Sequence, residues 1–188
     1  PVKSRAYIEY AAAKGVEWYV IDSVEELKKI HSVKPDAKLY LRIEAPNVGS
    51  DWPLTGKFGM KSQEVDAVVA EAVALKADLA GVTFHVGSQC RNPENWRVGI
   101  QGAKRVFKKM RLAGLKPRLL NIGGGLGIPY FPGEQPLDLA AVGSALGAMH
   151  EGIEGKLPHA KIVVELGRYL VGEAGIYVSR VIDRSDRP

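Results

Sequence analysis

Short apolar runs alternate with longer segments of helical composition along the chain. An apolar run that contains β-branched residues is typical of a buried strand, and we predict strands at 16–21, 38–43, 79–86, 117–122 and 161–165. Between them the pattern predicts helices at 4–14, from the cap Asp22-Ser23 to Pro35-Asp36, and at 62–75, 94–113 and 137–154. Two long loops rich in Gly and Pro, residues 45–60 and 126–136, interrupt this alternation.

The strands are continuous apolar runs, and each is followed by a helix. This alternation is typical of a parallel sheet covered by helices. The five strand-helix units contain no GxGxxG fingerprint of a dinucleotide-binding fold. We therefore predict an α/β protein that is an incomplete (β/α)8 barrel, with a doubly wound sheet as the alternative.

Composition and charge exclude several classes of protein. The chain is 46% apolar and 25% charged, as in ordinary globular domains. Its net charge is +5, but the basic residues are scattered among acids, so we expect no nucleic-acid partner. No apolar run is long enough to cross a bilayer, so we expect no membrane partner, and no signal peptide is visible. A single cysteine, Cys90, excludes a disulfide framework and favours a cytoplasmic location.

Both ends of the chain lie beside predicted regular structure. The sequence opens on Pro1 without an initiator Met, and it closes just after the strand-like segment 175–182. We therefore expect the chain to be part of a longer protein.

Residues that can carry chemistry follow the predicted strands. In (β/α)8 barrels the active site lies at the carboxyl ends of the strands. Four segments stand at those positions, namely Lys57-Phe58-Gly59, His85 to Gln89, Gly123-Gly124-Gly125 and Glu165 to Tyr169. We expect them to converge on one mouth of the barrel, and we expect no metal site there.

The three consecutive glycines have two interpretations. Glycine costs conformational entropy and packs nothing, so a triplet needs a structural reason. Close approach of backbone N–H groups to an anion such as phosphate is one reason, and a tight strand-to-loop turn without a ligand is the other. No Gly-Lys-Ser/Thr follows the triplet, so it is not a Walker loop.

Three charged or titratable residues near these strand ends also have two interpretations each. His85 could be a hydrogen-bonded core histidine, and Glu165 could pair locally with Arg168. Alternatively, Glu165 meets a protonated ring nitrogen and Arg168 binds a phosphate. A phosphate cradle, a histidine beside a flat ring and a carboxylate for a ring nitrogen together describe a pyridoxal phosphate site.

The segments HVGSQ, IGGG and E-x-GRY, in this order, resemble the pyridoxal phosphate-dependent decarboxylases of the alanine-racemase fold. This family acts on ornithine, lysine, arginine and diaminopimelate. The opening residues 1–30 are similar to the ornithine decarboxylase barrel, and SDWPLTGKFG resembles the bacterial ornithine/lysine decarboxylases. IGGGLGIPY is closer to the diaminopimelate decarboxylases.

The resemblance implies a role for each candidate residue. His85 would stack on the pyridine ring and Glu165 would face the pyridine nitrogen, while the phosphate would be held by Ser88, Gly123, Gly124, Gly125, Gly167 and Arg168. It also implies a pyridoxal phosphate-binding barrel over 1–170 and the start of a C-terminal β-domain at 171–188.

The chain departs from the family pattern at several points. Leu166 stands where the family usually has Pro, and Asn121 stands where many relatives have Asp. The Schiff-base lysine would precede Pro1 and the catalytic cysteine would follow the last residue, so we expect this chain alone to be inactive. Cys90 is misplaced for that cysteine, and the KFG lysine, Lys57, does not form the Schiff base in the family.

These observations predict a pyridoxal phosphate-dependent decarboxylase of a small basic amino acid, which would convert ornithine or lysine to putrescine or cadaverine. The alternatives are a diaminopimelate decarboxylase that makes lysine, a non-catalytic homologue that acts as a regulator, and a barrel that binds another phosphorylated metabolite. The family's sites lie across a dimer interface, so a homodimer is implied.

Overall fold

The computed structural model describes residues 2–47, 49–154 and 160–185, except for the side chains of residues 145 and 148–154. The helices are α1 (Arg5–Ala13), α2 (Val24–Val33), α3 (Val65–Ala74), α4 (Glu94–Leu112), α5 (Leu139–Glu154) and α6 (Arg168–Val171). The strands are β1 (Trp18–Ile21), β2 (Lys38–Arg42), β3 (Ser50–Trp52), β4 (Asp78–Thr83), β5 (Ser88–Cys90), β6 (Leu119–Asn121) and β7 (Lys161–Val163). Within these described residues, no helix has both the length and the hydropathy to cross a membrane.

Five strands form one parallel sheet in the order β1-β2-β4-β6-β7. This spatial order is also the order along the chain, so the sheet advances in one direction and never reverses. A doubly wound sheet requires a reversal of strand order. The arrangement is therefore an arc of a (β/α) barrel, as predicted, and the doubly wound alternative is wrong.

The hydrophobic core lies between this sheet and the helices on its outer face. Along β2, Leu39 and Leu41 are buried beneath the helices, whereas Lys38, Tyr40 and Arg42 lie half-buried on the inner face. The helices contribute the largest buried side chains of the outer layer, among them Ile8, Leu27, Ile30, Val68, Trp96, Ile100 and Met110. β1 and β2 thus alternate in burial, whereas the continuous apolar runs had predicted strands buried on both faces.

A second, antiparallel ribbon of two short strands was not predicted from the sequence. β3 lies inside the predicted loop 45–60, and β5 follows His85. They pair through Ser50 with Cys90 and Trp52 with Ser88. Each strand has only three residues, too few to show a two-residue periodicity, and their pairing is a long-range contact that no local pattern reveals.

The segment after α6 differs from its prediction. The strand-like residues 175–182 form no strand within the described part of the chain, which ends at residue 185. Their apolar side chains are exposed, namely Ile176, Tyr177, Val178, Val181 and Ile182. A strand needs a neighbour for its backbone groups, and none is present here. The assignment of 171–188 to a second domain stays a prediction, and residues 186–188 lie outside the described residues.

A buried carboxylate on α2 helps to hold this helix and the N-terminal segment against the sheet. Glu26 on α2 is only 2% exposed. Lys29 Nζ lies 2.5 Å from its Oε2, and Lys3 Nζ lies 3.0 Å from its Oε1. Lys3 Nζ also donates to the carbonyl of Val20 in β1, so the cluster joins the N-terminal segment, α2 and the sheet. Burial alone raises the pKa of Glu26, but the hydrogen bonds from Lys29 and Lys3 outweigh it and lower the pKa below its usual value.

We expect Glu26→Gln to lower the free energy of unfolding by about 2–4 kcal/mol at pH 7, because two lysines lose their buried counter-ion. Since the folded-state pKa is lowered, the stabilisation is present above the unfolded value and is lost as the pH falls through the folded one. The wild-type advantage in urea denaturation should therefore stay constant from pH 7 to about pH 5 and shrink as the pH falls below about 4.5. Glu25→Gln on the same helix is the control, because Glu25 is exposed. An equal loss in both variants, or a difference independent of pH, would contradict the buried-pair explanation.

Candidate functional site

The exits of β4, β6 and β7 are joined by hydrogen bonds that continue beyond the strands. The N–H of Phe84 donates to the carbonyl of Asn121 at 3.2 Å, and the N–H of Ile122 donates to that of Val163 at 2.9 Å. The N–H of Glu165 then donates to the carbonyl of Gly123 at 2.9 Å. This ladder places His85, the glycine triplet and Glu165 side by side at one edge of the sheet.

Steric crowding requires all three glycines of the triplet. A Cβ on Gly123 would overlap the carbonyl oxygen of Phe84, one on Gly124 that of Glu165, and one on Gly125 that of Gly87. Gly123 and Gly125 also have positive φ angles of 68° and 92°. The turn interpretation is therefore sufficient to explain the glycines. The N–H groups of Gly124 and Gly125 donate to no acceptor within the described part of the chain, so donors remain for an anion as well.

His85 lies half-buried beside the triplet. Its Nδ1 accepts a hydrogen bond from the N–H of Gly87 at 3.0 Å. Its Nε2 lies 3.6 Å from the point that a Cβ on Gly124 would occupy. Burial lowers the pKa of the imidazole, the positive charge of Arg42 lowers it further, and the negative charge of Glu165 opposes both. The ring is thus held neutral next to the free N–H groups, and it is not a fully buried core histidine.

Glu165 follows β7, and its side chain is exposed. β7 is the last strand of the sheet in the described part of the chain. Its Oε1 accepts a hydrogen bond from Asn121 Nδ2 at 2.7 Å. No ion pair joins Glu165 to Arg168 among the described residues, so the local-pair interpretation is not supported.

Arg168, the first residue of α6, contacts two other segments of the mouth. Its Nη2 donates to Ser88 Oγ at 2.9 Å. Its Nη1 donates to the hydroxyl of Tyr130, and the guanidinium carbon lies 5.6 Å from the centre of that ring. Ser88 and Arg168 are therefore adjacent, as the phosphate interpretation requires. Gly167 precedes α6 with a negative φ of −86° and with nothing within 4 Å of a would-be Cβ, so its role stays a prediction.

The KFG segment lies at the same mouth. Phe58 lies between two cations, with Arg42 at 5.0 Å and Lys57 Nζ at 5.1 Å from the ring centre. A Cβ on Gly59 would approach the backbone of Ile43 too closely.

Cys90 is fully buried, and burial raises the pKa of its thiol, which supports its exclusion as a nucleophile.

Arg42 was not identified from the sequence, and Gln89, which belongs to the segment His85 to Gln89, was given no role of its own. Arg42 ends β2 half-buried and interacts electrostatically with His85 and Glu165. A charge at the end of an apolar strand is the same signal that identified Glu165, so it could have been found. Gln89 has a positive φ of 55° and is 1% exposed. Its side-chain amide donates to the carbonyl of Ile128 and accepts from the N–H of Ile128, each at 2.9 Å. No sequence pattern predicts this contact.

No group of three or more His, Cys, Asp or Glu side chains in the described ranges could hold a metal ion. The mouth offers N–H, hydroxyl and guanidinium donors that can bind an anion, beside a neutral imidazole and a carboxylate.

Known proteins share this sequence and this architecture. The family model for the pyridoxal-binding domain of pyridoxal-dependent decarboxylases matches residues 1–172. Ornithine decarboxylase of Mus musculus is 34% identical over 180 residues, which cover 93% of this chain and 37% of that protein. Antizyme inhibitor 2 of Xenopus laevis is 32% identical over 99% of this chain and 40% of its own length.

Solved structures agree with these sequence matches. Arginine decarboxylase of Paramecium bursaria Chlorella virus, bound to agmatine, superimposes with a TM-score of 0.78 at 32% identity over 89% of this chain and 44% of that one. Lysine/ornithine decarboxylase of Vibrio vulnificus, complexed with putrescine, gives 0.74 at 27% identity over 90% of this chain and 43% of that one. The chain thus spans less than half the length of these relatives. Since the family model covers nearly all of it, the chain belongs to the pyridoxal-dependent decarboxylases and corresponds to their pyridoxal-binding domain.

Proposed function

We propose that the protein carrying this chain is a pyridoxal phosphate-dependent decarboxylase of a basic L-amino acid, with ornithine or lysine as substrate and putrescine or cadaverine as product. The observation that carries the proposal is the convergence of an anion site, a neutral imidazole and a hydrogen-bonded carboxylate at one edge of the sheet. The names of the relatives support the same class of substrate.

The donor set fits the phosphate of the cofactor. The free N–H groups of Gly124 and Gly125, the hydroxyl of Ser88 and the guanidinium of Arg168 supply neutral and charged donors to one region. Arginine favours bidentate contacts with phosphate oxygens, so Arg168 would bear most of the charge neutralisation.

Glu165 and His85 would act on the cofactor's ring. A carboxylate that accepts a hydrogen bond from a pyridine nitrogen keeps that nitrogen protonated, and the bound cofactor then supplies an electron sink for the bond that breaks at the amino-acid Cα. Glu165 already accepts one hydrogen bond from Asn121, which leaves Oε2 for the ring. His85, held neutral, would stack on the ring and exclude water from that face without placing a second cation beside the protonated nitrogen.

A second candidate function is supported by antizyme inhibitor 2, which is as similar to this chain as several ornithine decarboxylases are. In this case the protein would be a regulator that does not use the cofactor. The presence of His85, Ser88, Glu165 and Arg168 in one arrangement favours the enzyme, since a regulator has no need of that donor set.

We expect Arg168→Met to weaken binding of pyridoxal phosphate about 10- to 100-fold, because hydrogen bonds to a charged group are lost. Binding of pyridoxal, which lacks the phosphate, should change little, and fluorescence titration with both ligands measures the difference. Arg180→Met is the matched control, because Arg180 is exposed and lies outside the mouth. Equal weakening of both ligands would contradict a phosphate role for Arg168.

Release of CO2 by the whole protein with pyridoxal phosphate, measured in parallel on L-ornithine, L-lysine, L-arginine and meso-diaminopimelate, tests the substrate. We expect release from ornithine or lysine. Release from diaminopimelate alone would replace the proposal by the lysine-forming alternative. Failure to bind the cofactor at all would favour the regulator, and cofactor binding without release from any of the four would overturn the proposed substrate class.

His85 should be neutral at pH 7 with its proton on Nε2, because Nδ1 accepts the hydrogen bond from Gly87. Its lowered pKa means that, as the pH falls below about 6.5, the unfolded chain takes up a proton that the folded chain does not, so stability falls. Nitrogen-15 NMR of the imidazole reports both the tautomer and the titration, with His85→Asn assigning the signals. A ring protonated at pH 7, or a proton on Nδ1, would contradict this arrangement.

A further inference from the structure

Asn121 is the last residue of β6, is 4% exposed and lies between the glycine triplet and the carboxylate. Its Oδ1 accepts a hydrogen bond from the N–H of Gly123 at 2.8 Å. Its Nδ2 donates to Glu165 Oε1 at 2.7 Å. One buried amide therefore joins the glycine triplet, which forms the backbone of the anion cradle, to the carboxylate of Glu165.

The orientation of this amide is determined by its neighbours. A backbone N–H can only donate, so the atom that faces Gly123 must be the amide oxygen, and the amide nitrogen must face Glu165. An amide nitrogen donates and cannot accept, so Glu165 must present an acceptor oxygen to it. The contact thus holds the carboxyl group at one oxygen, while Glu165 Oε2 accepts no hydrogen bond from the described residues.

Glu165 needs such a restraint because its side chain is exposed and follows the edge strand β7. The charged and titratable groups that interact with it belong to strands further along the sheet: Arg42 and Tyr40 of β2 and His85 after β4. None of these three donates a hydrogen bond to its carboxylate in the described structure. Among the described residues, only Asn121 donates a hydrogen bond to the carboxylate and so restrains the direction in which it points.

We propose that Asn121 is a positioning residue, which orients Glu165 so that Oε2 meets the ring nitrogen of the cofactor. The inference rests on the proposed function and deepens it. Asn121 itself does not touch the reacting atoms. It acts through Glu165, and its contact with Gly123 couples that carboxylate to the phosphate cradle.

Two substitutions separate the two contacts of Asn121. Asn121→Asp keeps an oxygen for the N–H of Gly123 but replaces the donor to Glu165 by a second carboxyl group. Asn121→Leu removes both contacts at similar volume. Two carboxyl groups within hydrogen-bond distance share one proton and retain it to higher pH than a single one does.

The first measurement uses the chain without cofactor. Carbon-13 NMR of labelled glutamate carboxyls follows the titration of Glu165, whose signal is assigned by its loss in Glu165→Gln. We expect the midpoint in Asn121→Asp to move to higher pH than in the wild type. Unchanged titration would overturn the inference, because the side chain at 121 would then not touch the carboxylate in solution. This result does not depend on whether the protein binds pyridoxal phosphate.

The second measurement is a double-mutant cycle on cofactor affinity. We expect Asn121→Asp to weaken binding of pyridoxal phosphate about fivefold at pH 8 while leaving binding of inorganic phosphate unchanged, because the Gly123 contact is kept. In a Glu165→Gln background the same substitution should have no further effect. Equal effects in both backgrounds would overturn the inference, since Asn121 would then not act through Glu165. If the wild type binds inorganic phosphate but not pyridoxal phosphate, the proposed function fails, and the titration still decides the contact between Asn121 and Glu165.

Asn121→Leu distinguishes the proposed role from a purely structural one. It should weaken the binding of both pyridoxal phosphate and inorganic phosphate, because both contacts of Asn121 are lost. Asn121→Asp should weaken the binding of pyridoxal phosphate alone. Thermal melting by circular dichroism checks that each variant is folded. A folded Asn121→Asp variant that loses both ligands equally would assign the residue to the cradle and not to the carboxylate, and this would also overturn the inference.

Discussion

The register of the parallel sheet is the constraint on which the mouth depends. Three backbone hydrogen bonds continue the ladder beyond the ends of β4, β6 and β7, and they bring three chain exits to one level. At this separation the carbonyl oxygens of Phe84, Glu165 and Gly87 crowd the glycine triplet, and any Cβ there would overlap them. A shift of one residue in any of these strands would turn the inward-facing side chains toward the helices and dismantle the site. The strand pairing therefore determines which side chains meet at the mouth, and the chemistry of those side chains depends on it.

The charged groups at the mouth shift one another's pKa values. The positive charge of Arg42 lowers the pKa of His85, whereas the negative charge of Glu165 acts to raise the pKa values of both His85 and Arg42. A neutral imidazole, the guanidinium of Arg42 and the carboxylate of Glu165 therefore lie at one mouth. In the proposed function they would meet a ligand with a phosphate at one end and a protonated nitrogen elsewhere.

The features of this structure that can be predicted from the sequence are those that depend on residues close together in the chain. Ser4 and Ser23 cap α1 and α2 through hydrogen bonds that their positions indicate, and the apolar runs mark every strand of the main sheet. The glycine triplet and the charged residues after the strands identified the mouth because strand ends of a parallel sheet meet. By contrast, β3 and β5 are too short to be periodic, and the positive φ of Gln89 depends on a distant backbone. These features are decided by contacts between residues far apart in the chain.

The ribbon formed by β3 and β5 is fastened to the anion cradle almost wholly through backbone atoms. Cys90 N–H donates to the carbonyl of Gly125 at 2.7 Å, Gly127 N–H donates to the carbonyl of Cys90 at 3.1 Å, and a Cβ on Gly87 would overlap Ser50. Main-chain contacts of this kind do not depend on most of the side chains in the loops that carry β3 and follow the glycine triplet. Apart from Tyr130, which contacts Arg168, and Phe58, which contacts Arg42, residues 51–58 and 129–135 can therefore diverge in sequence while these main-chain contacts stay intact. In the proposed function, this separation would give one scaffold the evolvability to change its substrate without rebuilding its anion site.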